Sequence, residues 1–486
     1  MTRLTQIGTL ADEIAEKVEL IKSLTETPVD VPLPDGPVVV EPPIVDPPVV
    51  EPEPPIEAPQ TPPIIVSPPL SQWIRPEPRP RQDWMVFPTV FAKEIYVSPE
   101  GHDNGTGTIN DPLLSLEAAL LAIRGHTTSV NLRLKRGGTY TREGAWWAKS
   151  GHYFYTLDKP LLISDYGEGE LPILDFGGLA FEGNTTKQME AWYYKNLRIK
   201  NGGFFIWDKV RYMAWDNVHI EGARLGYNIA AGRGDIDSDN HSFAILNSSQ
   251  QDCPGGGVFS DASNIYIDNN LAQRNGSGWR DRNYYLCGNN DKRCYDIVLQ
   301  NSKSIANSPD PVTGGGGASP HWTTHGYCDG LYITDNEFLE AVQDASHDGC
   351  WGIAADEGRV EDWGMEEMRN VNITGNLVKY TGNQNISISN AVNPLVGWNE
   401  LHLNTGAKGV GLPGKASQPH DYQMVSARVV YNTIYTPSLA TAIGVDGFTA
   451  TTEYNNIIKT APDAKGIVQD GAEVAELGTN IVTEQY

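Results

Sequence analysis

Cysteine is scarce in this 486-residue chain: five residues, at positions 253, 287, 294, 328 and 350. That excludes a small disulfide scaffold. The cysteines read as reduced, buried side chains, with a Cys287–Cys294 loop bridge as the alternative. No apolar run approaches the ~20 residues of a membrane-spanning helix. The first 24 residues, MTRLTQIGTLADEIAEKVELIKSL, are charged throughout and carry no apolar core of an export signal. Basic residues are outnumbered, 36 Lys and Arg against 61 Asp and Glu, for a net charge of −25. Such a surface repels phosphate backbones, so a nucleic-acid partner is not expected.

What is present is enough apolar surface for a sizeable core: 40% hydrophobic residues, with 12 Trp and 21 Tyr. Proline is unevenly placed, 19 of 33 falling between residues 28 and 80. Residues 1–27 read as an N-terminal helix. Ile7, Ile14 and Ile21 share one heptad position and Leu10 and Leu24 another, which suits oligomerisation, a homotrimer above all, or docking on a larger particle. Residues 28–91 read as an extended linker. Its proline runs exclude helix and central strand, and its segment 27–72 carries seven acids and no Lys or Arg.

From residue 92 to 486 the chain reads as one repeat domain. Short alternating strands end in Asn or Gly at one phase: Asn201, Gly222, Asn247, Asn269, Asn301, Asn336, Asn376, Asn404, Asn432 and Asn456. Asn and Gly tolerate left-handed backbone at a sharp bend. One such bend every 20–40 residues, after an inward–outward strand, predicts an all-β, right-handed, single-stranded parallel β-helix. A β-sandwich is the structural alternative. A second strand recurs within each repeat, as in GYNIAAG, CWGIAAD and NISISN.

Two resemblances bear on this reading. The stretch YVSPEGHDNGTGTINDPLLSLEAALLAI resembles the opening of pectate-lyase-like parallel β-helix proteins, departing at Leu114, where an aromatic or small residue often stands. That family holds lyases, hydrolases, epimerases and adhesins, so the likeness implies a fold and leaves the activity open. The order of helix, linker and β-helix also resembles bacteriophage tailspikes. That resemblance implies a virion protein that meets other virion proteins through its N-terminal segment, binds a bacterial surface glycan and forms a trimer.

The repeats 269→301, 301→336 and 336→376 are the longest, so extra loops leave the solenoid there, commonly on a binding face. They hold Trp279, Trp322, Trp351 and His325, together with Asp348, Asp356 and Glu357. Tryptophan faces stack on sugar rings, and paired carboxylates cleave glycosidic bonds. Asp348, Asp356 and Glu357 are therefore the candidate catalytic residues, and Trp279, Trp322, His325 and Trp351 the candidate substrate-binding residues. Asp237 and Asp261 are the reserve acidic pair. Asp235, Asp237 and Asp239 lack the glycine and distal Glu of a calcium loop, and no zinc spacing occurs, so no metal or cofactor is expected. Hydrolysis of a bacterial polysaccharide is the leading expectation. A lyase using a cation from Arg280, Arg282, Lys292 or Arg293, and a non-enzymatic adhesin, are the alternatives.

Overall fold

The chain divides into two units, Met1–Gln72 and Trp73–Tyr486. A computed structural model describes residues 74–485, except 142–145, 150–154, 178–180, 185–188, 208–209, 231–240, 261, 276–281, 288–292, 306–319, 341–350, 356–366, 414–423 and 475–477. The expected N-terminal helix and most of the linker lie outside the described residues.

Residues 93–485 form a parallel β-helix. Among the described residues, a broad sheet of 25 strands and a narrow sheet of 13 strands run the length of the solenoid. Each coil contributes a longer strand and a short strand to the broad sheet, then one strand to the narrow sheet. In one coil these are Arg293–Gln300, Lys303–Ile305 and Trp322–His325. Pairing between coils is parallel and in register, so equivalent residues stack in rows. One inner row runs Ile95, Leu132, Ile163, Tyr194, Trp215, Ile245, Ile267, Leu299, Ile333, Ile373, Val396 and Val429. All are buried, and the rows together form one continuous core. Strand alternation explains this: every second side chain faces the coil interior.

The bend between the two broad-sheet strands carries the asparagine signal. Asn201, Asn247, Asn269 and Asn301 take positive φ between 50° and 55°, and Gly222 takes 69°. Asn336 and Asn376 stand one position further on, with side chains buried in the same bend. There they begin an internal ladder through Asn399, Asn432, Asn455 and Asn480. The backbone N–H and Nδ2 of each donate to Oδ1 of the next at 2.9–3.1 Å. Asn404 and Asn456 fall outside this phase. Asn404 donates to the Tyr380 carbonyl at the following corner, and Asn456 opens the strand Asn456–Lys459. In the last coils the positive-φ position passes to Trp398, Tyr431 and Tyr454, whose rings stack at 5.3 and 5.0 Å.

Helix α1 (Leu116–Ile123) covers the first coil. Ser115 caps it, accepting from the Ala118 N–H, and Asp103 in turn accepts from the Ser115 N–H. Leu116, Ala119 and Ile123 face the core, whereas Leu114 is exposed.

Residues 74–91, read from sequence as the end of the linker, belong to the body. They run as a strap across the outer face of the broad sheet, counter to the order of the coils. Arg75 pairs with Asp335, the Arg79 N–H donates to Gln300 and Arg81 donates twice to Asp268. Gln82 then meets Asn264, and the Trp84 carbonyl accepts from the Tyr193 hydroxyl. Met85, 3% exposed, sits in a second apolar cluster with Leu162, Tyr193, Leu246, Tyr266 and Val298. These outward residues are apolar because the strap shields them from water. Met85→Ala is expected to lower the unfolding free energy by about 2–4 kcal/mol in urea denaturation. An unchanged midpoint would mean that the strap contributes nothing to the body.

Candidate functional site

The long repeats open at the narrow sheet. Segments 276–281, 306–319 and 341–350 lead into the strands Tyr284–Cys287, Trp322–His325 and Ile353–Ala355, and 288–292 and 356–366 follow the first and third of these. Trp279, Asp348, Asp356 and Glu357 lie in these segments, outside the described residues, as do Asp237 and Asp261. The strand Ile353–Ala355 separates Asp348 from Asp356 and Glu357 in the chain.

The three remaining candidates are described, and one is corrected. Trp322 is 1% exposed and belongs to the core. Strand pairing puts it in the inner row with Phe204, Tyr227, Tyr284 and Ile353. Its Nε1 donates to the Thr324 hydroxyl at 2.6 Å. It therefore cannot stack on a ligand from outside: alternation sends it inward and Thr323 outward. His325 ends the same strand and is half-buried, its ring 5.7 Å from the Tyr285 ring. Trp351 is half-buried where the chain enters the next coil, and its Nε1 is buried without a partner among the described residues.

Around His325 and Trp351 the outer face carries groups that the loop argument did not single out together. Arg282 lies over the Tyr285 ring, its guanidinium carbon 4.7 Å from the ring centroid. Its Nε donates to the Thr323 hydroxyl at 3.0 Å. The cation is thus held in one place by an aromatic face and a hydroxyl. Beyond it the outward row becomes small: Thr323, Ala354, Ser387, Gly411 and Gly444 lie in register. The result is a strip along the solenoid axis whose small residues are themselves buried, Thr323, Ala354 and Ser387 at 1–2% exposure, with an aromatic ring and a cation at one end. The strand YYLC carried the signal for Tyr285: with Tyr284 and Leu286 inside, the residue between them must face out.

Beneath this strip lies a buried polar chain at the corner where the loops depart. Asn275 Nδ2 donates to Asn283 Oδ1 at 2.8 Å, and Asn283 Nδ2 to Ser304 Oγ at 2.6 Å. Ser304 Oγ lies 2.7 Å from His321 Nδ1. His321 Nε2 lies 2.9 Å from Glu340 Oε1, a contact whose geometry falls short of a hydrogen bond. Ser, His and Glu in sequence have the composition of a nucleophilic triad. The geometry opposes that use: Ser304 is buried and its oxygen already accepts from Asn283. The chain instead ties together residues flanking segments 276–281, 306–319 and 341–350. His321→Ala is expected to cost about 2–4 kcal/mol of stability, measured by urea unfolding. A loss below about 0.5 kcal/mol would show that the corner holds without the ring.

The described cysteine side chains fit a reduced reading, whereas Cys350 and the side chain of Cys287 lie outside the described residues. Cys253, Cys294 and Cys328 are buried thiols, and burial pushes the Cys253 thiol up to about 11 and raises that of Cys328.

The fold defines a parallel β-helix protein. A 91-residue stretch is 42% identical to pectate lyase PEL9 of Emericella nidulans, covering 18% of this chain and 20% of that protein. The chain thus matches about a fifth of that lyase's length. Solved structures similar to it include the GH136 lacto-N-biosidase of Eubacterium ramulus, at 14% identity and TM-score 0.41 over 81% of this chain and 68% of that one. The periplasmic alginate epimerase AlgG aligns at 8% identity and TM-score 0.42 over 77% and 84%. Pectate lyase Pel9A aligns at 13% identity and TM-score 0.34 over 80% and 79%. The chain matches no protein-family model.

Proposed function

We propose that this protein binds a bacterial surface polysaccharide along the outer face of the narrow sheet and cleaves it, serving as a spike or fibre of a phage virion. The observation that carries the reading is the strip itself. Arg282, Tyr285 and His325 stand together on the outer side of the narrow-sheet strands, and the segments that hold Asp348, Asp356 and Glu357 adjoin these strands in the chain. In the hydrolytic form, Asp348 and one of Asp356 or Glu357 serve as the two carboxyl groups of glycosidic cleavage. Trp279, Trp351 and His325 hold the sugar rings. The heptad helix and proline-rich linker support attachment to other virion proteins and a homotrimer.

A lyase is the second reading, favoured by the fixed Arg282 cation and by the 91-residue likeness to a pectate lyase. A guanidinium beside a uronate neutralises the carboxylate and eases removal of the α-proton. Non-enzymatic adhesion is the third.

Incubation with purified capsular polysaccharides, alginate and polygalacturonate, followed by size profiling, separates the three. Shortened chains with saturated reducing ends support hydrolysis, and shortened chains with double-bonded uronate ends support a lyase. Binding without shortening leaves an adhesin, and no binding overturns the reading. With a cleaved polymer in hand, Arg282→Ala is expected to lower kcat/KM by about 100-fold while the melting temperature stays within about 4 °C. Unchanged kcat/KM would remove Arg282 from the site.

A further inference from the structure

In the outward row of the narrow sheet from Asn228 to Gly444, Tyr285 is the one aromatic residue. Thr323 follows it in the row, and Cys287 and His325 pair two positions further along the same strands. His325 therefore stands diagonally across from Tyr285 on the same outward side. Its ring meets the Tyr285 ring at 66°, with centroids 5.7 Å apart. Arg282 approaches that ring from the chain just before the strand, its guanidinium carbon 4.7 Å from the centroid, and reaches on to the Thr323 hydroxyl of the next coil. Arg282, Tyr285 and His325 are all half-buried, so each keeps a surface open to solvent.

One phenol ring thus touches both a cation and an imidazole that belong to different coils. An arginine in water samples many rotamers, whereas a guanidinium stacked on an aromatic face with its Nε engaged samples few. The ring contact confines the imidazole as well. Loss of the Tyr285 ring would release both groups at once, and loss of the Thr323 hydroxyl would release the cation alone. The tyrosine is the shared support, so the spacing between cation and imidazole follows from the size of one aromatic ring.

We propose that Tyr285 is a positioning residue, holding Arg282 and His325 at a fixed separation so that cation and imidazole meet the same sugar unit of a bound polymer. The ring carries this role and the phenol hydroxyl does not. The proposal rests on the reading of this face as a polysaccharide site and names the residue that sets its geometry.

The test compares Tyr285→Leu, Tyr285→Phe and Thr323→Val in the full-length protein. With isotope-labelled arginine and histidine, NMR reads the ring-current displacement of the Arg282 and His325 side-chain signals. Tyr285→Leu should abolish both displacements, Tyr285→Phe should keep both, and Thr323→Val should alter the Arg282 signal alone. On a polymer that wild type cleaves, Tyr285→Leu should lower kcat about 10-fold with KM changed less than about 3-fold, and Tyr285→Phe should restore most of the loss. On a polymer that is bound without cleavage, the corresponding loss is about 10-fold in affinity. The Tyr285→Leu and Thr323→Val losses should combine less than multiplicatively, since both act through Arg282. Melting temperatures should stay within about 4 °C of wild type. The proposal is overturned if either signal is unmoved by Tyr285→Leu, if Tyr285→Phe loses as much as Tyr285→Leu, or if the signals move while cleavage and binding stay at wild-type values. Melting far below wild type in both Tyr285 variants also overturns it, since the residue then supports the fold and not the site. If wild type binds no polymer, the polysaccharide reading falls and takes the sugar contact with it. Loss of both displacements in Tyr285→Leu then still supports one ring holding Arg282 and His325, and unmoved signals overturn that as well.

Discussion

Backbone hydrogen bonding between successive coils stacks every side chain on its equivalent in the coils above and below. The rest of the molecule follows from this constraint. A residue that suits one coil must suit its row, so aliphatic side chains pile into one core and polar groups must pair vertically or not at all. The Asn336-to-Asn480 ladder is the clearest case. Each buried carboxamide satisfies backbone and side-chain groups of the coil beside it, so a polar row crosses the interior without orphaned donors.

The same constraint creates the candidate site. A coil can absorb extra residues only at its corners, because lengthening a strand would break register with both neighbours. The long segments therefore adjoin the ends of the narrow-sheet strands in the chain. The outer side of the narrow sheet carries a row of small, buried residues, beside which Arg282, Tyr285 and His325 are held by the ladder. The corner beneath is polar because several chain ends converge there, and Asn283, Ser304 and His321 satisfy them side to side. Rigid strands thus hold the described part of the strip.

The strap adds a second, shallower layer. Outward positions of the broad sheet would ordinarily be polar, yet Leu162, Leu246 and Val298 occupy them. They are compatible with solubility because Met85 and its neighbours cover them. The arginines at 75, 79 and 81 then meet acids on separate coils. These partly exposed ion pairs set the strap's register more than its affinity, since solvent screens them.

The repeat itself was legible because a parallel coil demands a bend residue at fixed phase, and Asn and Gly announce it locally through their tolerance of positive φ. The inner rows were legible for a similar reason: alternation is a property of neighbouring residues. Three things were not. Asn301 at the bend and Asn336 just beyond it look alike in sequence, and only the path of the chain decides that one faces solvent while the other joins the ladder. Trp322 has the composition of a sugar platform, and only the register of its strand turns it inward. The strap's attachment depends on partners from Tyr193 to Asp335, more than a hundred residues away, so no local pattern reveals it. Local chemistry determined the fold of this protein, whereas which side chains face a ligand was decided by stacking between coils, an interaction that exists only once the solenoid has closed.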